Sequence, residues 1–319
     1  MIWAIALMVS LVIAIACHDF FTGRKLLRDC VREFRIYRAD INALDAFCQS
    51  NSDRTQAIVS LTSIPSRMPM IEDTLKSLLG QTRSPAEIRV YLPKSSRRES
   101  KPYIVPKAIA NLQSVKIIRV EDDLGPATKF IHALNGLGPD DKLIVVDDDR
   151  IFPDNMIALL DDAANQNPDS AFCIGGWVVP ADLTDRRTDL WMYLRRSPPA
   201  QVRPVRIRLA TPIDILMGAH GFMVRPKFIN LERLNDYSDA PEAAVFADDI
   251  WISAYCRAPK YALPCKWADF QPYRHVPSYD RTSIGWINRR GRPEQWVNSI
   301  TLKHLGMRPW LCGRTQRDA

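Results

Sequence analysis

Hydrophobic positions fall into three regimes along the chain. Met1 to Cys17 is apolar almost throughout, carries no charge and has one polar side chain, Ser10. A helix apolar on every side suits lipid better than water. At a rise of ~1.5 Å per residue the run reaches ~26 Å, against a hydrocarbon core of ~30 Å. Phe20 and Phe21 extend it into the interface. From 24 to 48 the pattern changes. Leu27, Val31, Phe34, Ile41, Leu44 and Phe47 recur at helical spacing, with arginines on the other positions. This predicts one amphipathic helix over 24–48, either a stem packed on the domain or a helix lying on an anionic membrane surface. The polar stretch Gln49–Arg54 closes it.

From Ala57 short β-branched runs alternate with helical patterns. Ile58–Leu61, Glu87–Leu92, Val115–Val120, Lys142–Val146 and Ala171–Ile174 read as strands. Met70–Leu79, about 126–136 and 154–165 read as helices between them. Such alternation predicts an α/β domain with a mainly parallel sheet. Ile213–Leu216 and Gly221–Val224 suggest a pair of strands, and a helix begins near Asp248. Past Lys266 the pattern dissolves into Pro-, Arg- and Trp-rich sequence. The expected organisation is a transmembrane anchor (1–22), a stem helix and linker (23–55), an α/β domain (56–265) and a C-terminal extension (266–319) that wraps the site.

Composition adds limits. With 319 residues, 46% hydrophobic and 25% charged, the chain buries a full core, and wholesale disorder is excluded. The net charge of +7 is clustered. Arg24, Lys25, Arg28, Arg32, Arg35 and Arg38 follow the apolar run, and further arginines stand at 195, 196, 203, 206, 208, 289, 290 and 292. These patches favour anionic partners, anionic lipids among them. No zinc-finger spacing or RNA-binding aromatic signature is present, so nucleic acid is not expected. The basic cluster after the apolar run places the following chain in the cytoplasm, on a single-pass N-terminal anchor. A cleaved signal peptide would carry basic residues ahead of its apolar core. The seven cysteines, at 17, 30, 48, 173, 256, 265 and 312, form no CxxC pair and read as reduced.

The candidate chemistry sits at the exit of the run Lys142–Val146, where Asp147, Asp148 and Asp149 stand together. Carboxylates this close repel, and a divalent cation with oxygen ligands would relieve the repulsion. A second acidic pair, Asp248-Asp249, opens a helix. Alone it reads first as a cap and first-turn acid favoured by the helix dipole.

The order of motifs resembles the GT-A glycosyltransferases, and within them the family-2-like enzymes. It runs Val59-Ser-Leu-Thr-Ser-Ile-Pro-Ser-Arg67, Asp122-Asp-Leu-Gly-Pro-Ala-Thr-Lys129, Val145-Val-Asp-Asp-Asp149, Gly218-Ala-His-Gly221 and Ala247-Asp-Asp-Ile-Trp251. The resemblance covers about residues 57–258. It implies a GT-A, Rossmann-like sheet with flanking helices, Mn²⁺ or Mg²⁺, and a nucleotide-diphosphate sugar donor, with a UDP-sugar favoured. It implies transfer to a hydroxyl of a saccharide or lipid-linked acceptor. Asp147 then contacts the nucleotide and the metal, Asp149 binds metal, and Asp148 takes either part. Thr62, Arg67 and Lys129 are placed on the donor. Asp249 becomes the general base of an inverting enzyme with Asp248 beside it. His220 and Trp251 are placed at the acceptor, and His275 or His304 is a candidate late metal ligand. Two departures stand out. Leu92-Pro-Lys-Ser-Ser96 lacks the acid that many family-2 enzymes carry near the nucleotide base, and the Gln-x-x-Arg-Trp motif of processive synthases is absent. Two other classes stay open: a sugar-phosphate nucleotidyltransferase and a non-catalytic membrane-bound scaffold. Against the first, Thr62–Ser66 lacks the glycines of a phosphate loop.

Overall fold

The computed structural model describes residues 2–186, 201–283 and 291–310. Arg195, Arg196, Arg289, Arg290 and Cys312 lie outside the described residues. The first apolar run forms α1 (Ile2–Thr22), long and apolar enough to span a membrane and clear of the protein core.

The stem is two helices rather than one, α2 (Leu26–Arg38) and α3 (Ile41–Ser50). Asp40 breaks it with extended backbone, and its side chain accepts the Asn42 N–H at 2.9 Å. A short acid is favoured as an N-cap and disfavoured inside a helix. The apolar spacing runs on in phase across the break, which hid it.

α2 is also turned inside out. Its acids Asp29 and Glu33 are buried. Glu33 accepts the Tyr273 and Arg274 N–H groups at 2.8 and 3.0 Å, Arg32 donates to the Ala268 carbonyl at 3.0 Å, and Arg28 stacks on Trp267. Leu27, Val31 and Phe34 face outward, 65%, 50% and 64% exposed. Two of the six clustered basic residues, Arg28 and Arg32, therefore serve the protein itself.

β1 (Ile58–Thr62), α4 (Ile71–Leu79), β2 (Glu87–Pro93), α5 (Lys107–Ala110), β3 (Val115–Val120), α6 (Thr128–Asn135), β4 (Leu143–Val145), α7 (Met156–Gln166) and β5 (Ala171–Cys173) come next. Then come β6 (Gly176–Trp177), β7 (Gln201–Val202), β8 (Thr211–Pro212), β9 (Ile215–Leu216), β10 (Phe222–Val224) and α8 (Leu231–Asn235). α9 (Asp248–Tyr255), β11 (Lys260–Ala262), α10 (Val276–Thr282) and α11 (Val297–Leu305) complete the α-helices and strands among the described residues.

Among the described residues the main sheet has the order β3-β2-β1-β4-β10-β5-β11-β8. β3, β2, β1 and β4 are mutually parallel, and β10 runs antiparallel between β4 and β5. This is the mixed α/β architecture with a mostly parallel sheet that the alternation predicts. Central strands such as β4 and β5 are covered on both faces and are apolar on both sides, whereas β3 at the edge keeps Lys116 and Arg119 exposed. Along β4 and its exit, Ile144 and Val146 enter the core beneath α4 and α7, while Leu143 and Val145 enter the core beneath α6 and α9.

Both strands expected in the second half are present, within Ile213–Leu216 and Gly221–Val224, but they lie in different sheets. β9 belongs to a three-stranded sheet, β7-β6-β9, whereas β10 joins the main sheet. The turn between them, closed by Gly221 N–H to the Gly218 carbonyl at 3.1 Å, switches the chain from one to the other. β11 was not anticipated, because three residues are too few to show a period.

Candidate active site

Parallel strands end where the chain must turn, and the exit of β4 is such a point. There Asp147, Asp148 and Asp149 enter a cavity of about 580 Å³. Because β10 is antiparallel, with Phe222 opposite Val145, the loop entering β10 lies at the same edge. Asp147 donates its N–H to the Gly218 carbonyl at 3.0 Å. Gly218 in turn donates its N–H to Asp249 Oδ1 at 3.0 Å. One glycine residue thus links the triplet to the pair at the start of α9. Glycine leaves the Asp147–Lys129 pair undisturbed, since a Cβ at 218 would lie 2.7 Å from Asp147 Oδ1 and force that side chain to shift.

The triplet is balanced from within the chain. Lys129, 4% exposed, places Nζ 2.6 Å from Asp147 Oδ1 and 2.7 Å from Asp248 Oδ2. The second contact is an ion pair outside hydrogen-bonding angles, so the Asp248 oxygen has no directional partner. Asp148 accepts from Ser63 Oγ at 2.5 Å and from Arg67 Nη1 at 2.9 Å. Asp149 lies 3.5 Å from Arg67 Nη1 and 3.4 Å from Arg150 Nε, and accepts from Gln271 Nε2 at 2.7 Å. The premise that repulsion within the triplet calls for a divalent cation is therefore corrected. Lys129, Arg67 and Arg150 already answer it.

Charge states follow from these contacts. Burial would raise Asp147, but Lys129 overcomes it and holds the carboxyl below its ordinary value. Burial would lower Lys129, yet Asp147 and Asp248 drive it well above the usual lysine range. Asp249 is different: burial first, then the charge of Asp248, pushes it well above the usual carboxylate value. A carboxyl with raised proton affinity suits proton abstraction near neutral pH.

Metal fit is a matter of the donor set. Among the described residues no three His, Cys, Asp or Glu side chains converge on a metal position. Asp147 and Asp149 offer hard oxygens to the cavity. Mg²⁺ and Mn²⁺ suit such donors, and Mg²⁺ typically keeps waters and takes one or two carboxylates plus substrate phosphates. The two carboxylates fit a cation held in that way, and no all-protein cage is needed.

The other anticipated residues fall as follows. Thr62 lines the cavity and donates to the Tyr91 carbonyl at 2.7 Å. Arg67 also donates to Thr282 Oγ1 at 2.9 Å, tying the loop after β1 to α10. His220 turns away toward buried Asp269, 2.5 Å from Nδ1. Burial would raise Asp269, but the His220 ring and then Arg150 hold it down at about 2. Trp251 is 1% exposed, stacks on Tyr237 and donates Nε1–H to the Leu234 carbonyl at 3.0 Å. It is a core residue, so the acceptor placement is corrected: a large amphipathic ring fills the space behind the acids. His275 pairs with Asp73 at 3.5 Å, and His304 lies over Trp251. Neither lines the cavity.

Several site residues carried no expectation. Arg150 follows the triplet directly, and its adjacency was the available signal. Arg97 and Arg98 line the cavity from the loop after β2, and Arg98 donates to the Thr282 carbonyl that Arg67 also contacts. Gln271 and Ser283 reach the cavity from beyond residue 265. A second cavity of about 170 Å³, with Trp177, Asp185 and Asn298 in its wall, shares Gln201, Met217, Phe246, Asp248 and Asp249 with the first. The acidic pair therefore stands where two cavities meet.

No protein-family model matches the chain, and no curated protein matches it. Among solved structures it is similar to mannosyltransferase PcManGT from Pyrobaculum calidifontis in complex with GDP-Man and Mn²⁺. Identity is 18%, coverage 92% of this chain and 81% of that one, and the TM-score 0.43. GalNAc-T7 with UDP, GalNAc and Mn²⁺ is similar at 14% identity and TM-score 0.42, over 66% of this chain. The chain spans only 42% of that protein's length. A 4-diphosphocytidyl-2C-methyl-D-erythritol synthase is similar at 12% identity and TM-score 0.39, covering 66% of this chain and 90% of that one. Glycosyltransferases, the class the motifs resemble, thus stand beside a nucleotide-transferring synthase. The likeness is one of fold, and no part of the functional argument rests on it.

Proposed function

We propose that the protein is a membrane-anchored, metal-dependent glycosyltransferase that moves a sugar from a nucleotide-diphosphate donor to an acceptor hydroxyl with inversion. The observation that carries this reading is the position of Asp249. It has a raised proton affinity, and it stands between a large cavity walled by the triplet and arginines and a smaller one beyond it.

In this reading the donor lies in the larger cavity. Arg67, Arg97 and Arg98 face its diphosphate, and guanidinium groups suit phosphate oxygens. A divalent cation bound through Asp147 and Asp149 would neutralise charge on the departing diphosphate. The acceptor enters from the smaller cavity, where Trp177 and Phe246 offer apolar ring surface. Asp249 removes the acceptor proton as the acceptor oxygen bonds to the anomeric carbon. The bond from that carbon to the diphosphate breaks, and its electron pair leaves with the nucleoside diphosphate. Gly218 N–H holds Asp249 in orientation, and Lys129 holds Asp147 in its charged form while lying against Asp248. The acceptor is a saccharide or lipid-linked hydroxyl at the bilayer, on the cytoplasmic side according to the basic cluster after α1.

The test is a panel of nucleotide sugars with Mn²⁺ or Mg²⁺, read by calorimetry and by product release. One donor should bind in a metal-dependent way and release its nucleoside diphosphate. Asp149→Ala should remove that metal dependence while the protein stays folded. Pyrophosphate-dependent turnover instead would place the protein among nucleotidyltransferases and end this proposal.

A further inference from the structure

The outward face of α2 is the least explained surface of the molecule. Leu27, Cys30, Val31, Phe34 and Tyr37 stand at i, i+3, i+4, i+7 and i+10, and all are exposed. Those spacings form one continuous stripe on a helix. At ~1.5 Å per residue the 13-residue helix presents about 20 Å of it. An apolar stripe of this length left open to water marks a contact.

Its charges say what the contact is. Both acids of α2, Asp29 and Glu33, are buried against the domain, while Arg35 and Arg38 are exposed, as is Lys25 just before it. The open surface of the helix is thus apolar, and the exposed charges on it, Arg35 and Arg38, are both basic. That combination fits a bilayer with anionic headgroups.

The stripe also continues a membrane element. Asp19 of α1 accepts the Leu26 N–H of α2 at 2.9 Å, and Gly23 makes the bend at φ +70°. A Cβ there would lie 3.2 Å from Val205. The domain grips the same junction: Arg203 donates to the Phe21 carbonyl and Arg206 to the Phe20 carbonyl. The end of α1, the start of α2 and the domain are therefore one built joint.

We infer that α2 is a second, interfacial membrane contact: it lies in the headgroup region with its stripe toward the acyl chains and, with α1, locks the domain to the bilayer in one orientation. The charged face of α2, bonded to Ala268, Tyr273 and Arg274, carries that orientation to residues beside the site. This inference uses no step of the sugar transfer.

The test places a fluorophore on the full-length protein in vesicles of mixed neutral and anionic lipid. Cys17→Ser, Cys30→Ser and Cys312→Ser remove competing thiols, and Val31→Cys or Phe34→Cys carries the label. Asp169→Cys, at a side chain 88% exposed, is the aqueous control. Labels at 31 and 34 should be quenched by shallow spin-labelled lipids and be several-fold less accessible to iodide than the label at 169. Protection should deepen with anionic lipid. Iodide access at 31 and 34 equal to that at 169, or a protein that stays in solution, would overturn the inference. So would protection from both quenchers with label-to-label proximity, which would make a second copy of the chain the occupant. A failure of metal-dependent donor binding would leave these readings unchanged, so the two proposals fail separately.

Discussion

Lys129 Nζ lies 2.7 Å from Asp248 Oδ2, joining the helix after the Gly125-Pro126 turn to the helix that carries the proposed base. The same ammonium holds Asp147 at 2.6 Å. The two acidic clusters, about a hundred residues apart in sequence, are one electrostatic unit.

Lys129→Met keeps the side-chain length and removes the charge. Buried Asp248 and part-exposed Asp147 then lose their partner. A fully buried ion pair costs ~3–5 kcal/mol to break, and the exposure of Asp147 brings the expected cost to the lower end. Asp147 is depressed in the folded state, so its stabilisation is present above the unfolded carboxyl value and is lost as pH falls. Urea unfolding should therefore show a large deficit near neutral pH that narrows as the pH falls through the carboxylate range. A deficit equal at both ends would mean that lost packing, not lost charge, is responsible.

Gly218→Ala inserts a methyl 2.7 Å from Asp147 Oδ1 and 3.0 Å from Lys129 Nζ. The expected cost is about 1–3 kcal/mol, as for other overpacked sites, with weakened donor binding because the Asp147–Lys129 pair must move. Gly136→Ala is the control: its nearest neighbours are carbonyls at 3.8 Å and its φ is −103°. Its stability should change by less than ~0.5 kcal/mol. Parallel thermal melts and donor titrations separate the two.

Asp249 makes a pH prediction. Its folded proton affinity is raised, so the base form fills only as pH climbs above the ordinary carboxylate range. Turnover should rise with pH through that raised value. The same shift favours the folded state at low pH, a contribution lost as pH rises through it. Asp249→Asn keeps the shape, should lower turnover by ~10²–10⁴-fold and should erase the acid limb. NMR of the product should show an inverted anomer. An acid limb that survives in Asp249→Asn would assign it to another group.

Trp251→Phe should lower stability with no change in KM for the acceptor, because the ring is buried behind the acids rather than exposed to ligand. Trp251→Ala should cost about 3–5 kcal/mol. A raised acceptor KM in a stable Trp251→Phe protein would return this residue to the binding surface.

The parallel half of the sheet was legible because its strands are short runs rich in β-branched residues, separated by polar or helical segments. Asp147, Asp148 and Asp149 were legible for the same reason, as charges at the end of a buried run. What the sequence concealed was pairing over distance. Nothing local says that Arg67 bonds to Thr282, that Asp269 is the partner of His220, or that Gly218 bridges Asp147 and Asp249. Trp251 was misplaced because an aromatic beside a candidate base looks alike from either side of a helix. α2 was half legible: its period was right, but which face would be buried depended on Trp267 and Tyr273, far along the chain.

The antiparallel placement of β10 has a consequence for biosynthesis. As the chain emerges from the ribosome, β1 to β4 can assemble and display the complete aspartate triplet, yet one edge of β4 stays unpaired until residue 224 has been made. An open edge of that kind invites pairing with other chains. Gly218, which joins the triplet to Asp249, arrives in the same late segment. A truncated product ending before β10 would therefore expose that edge and lack the Gly218 link between the triplet and Asp249.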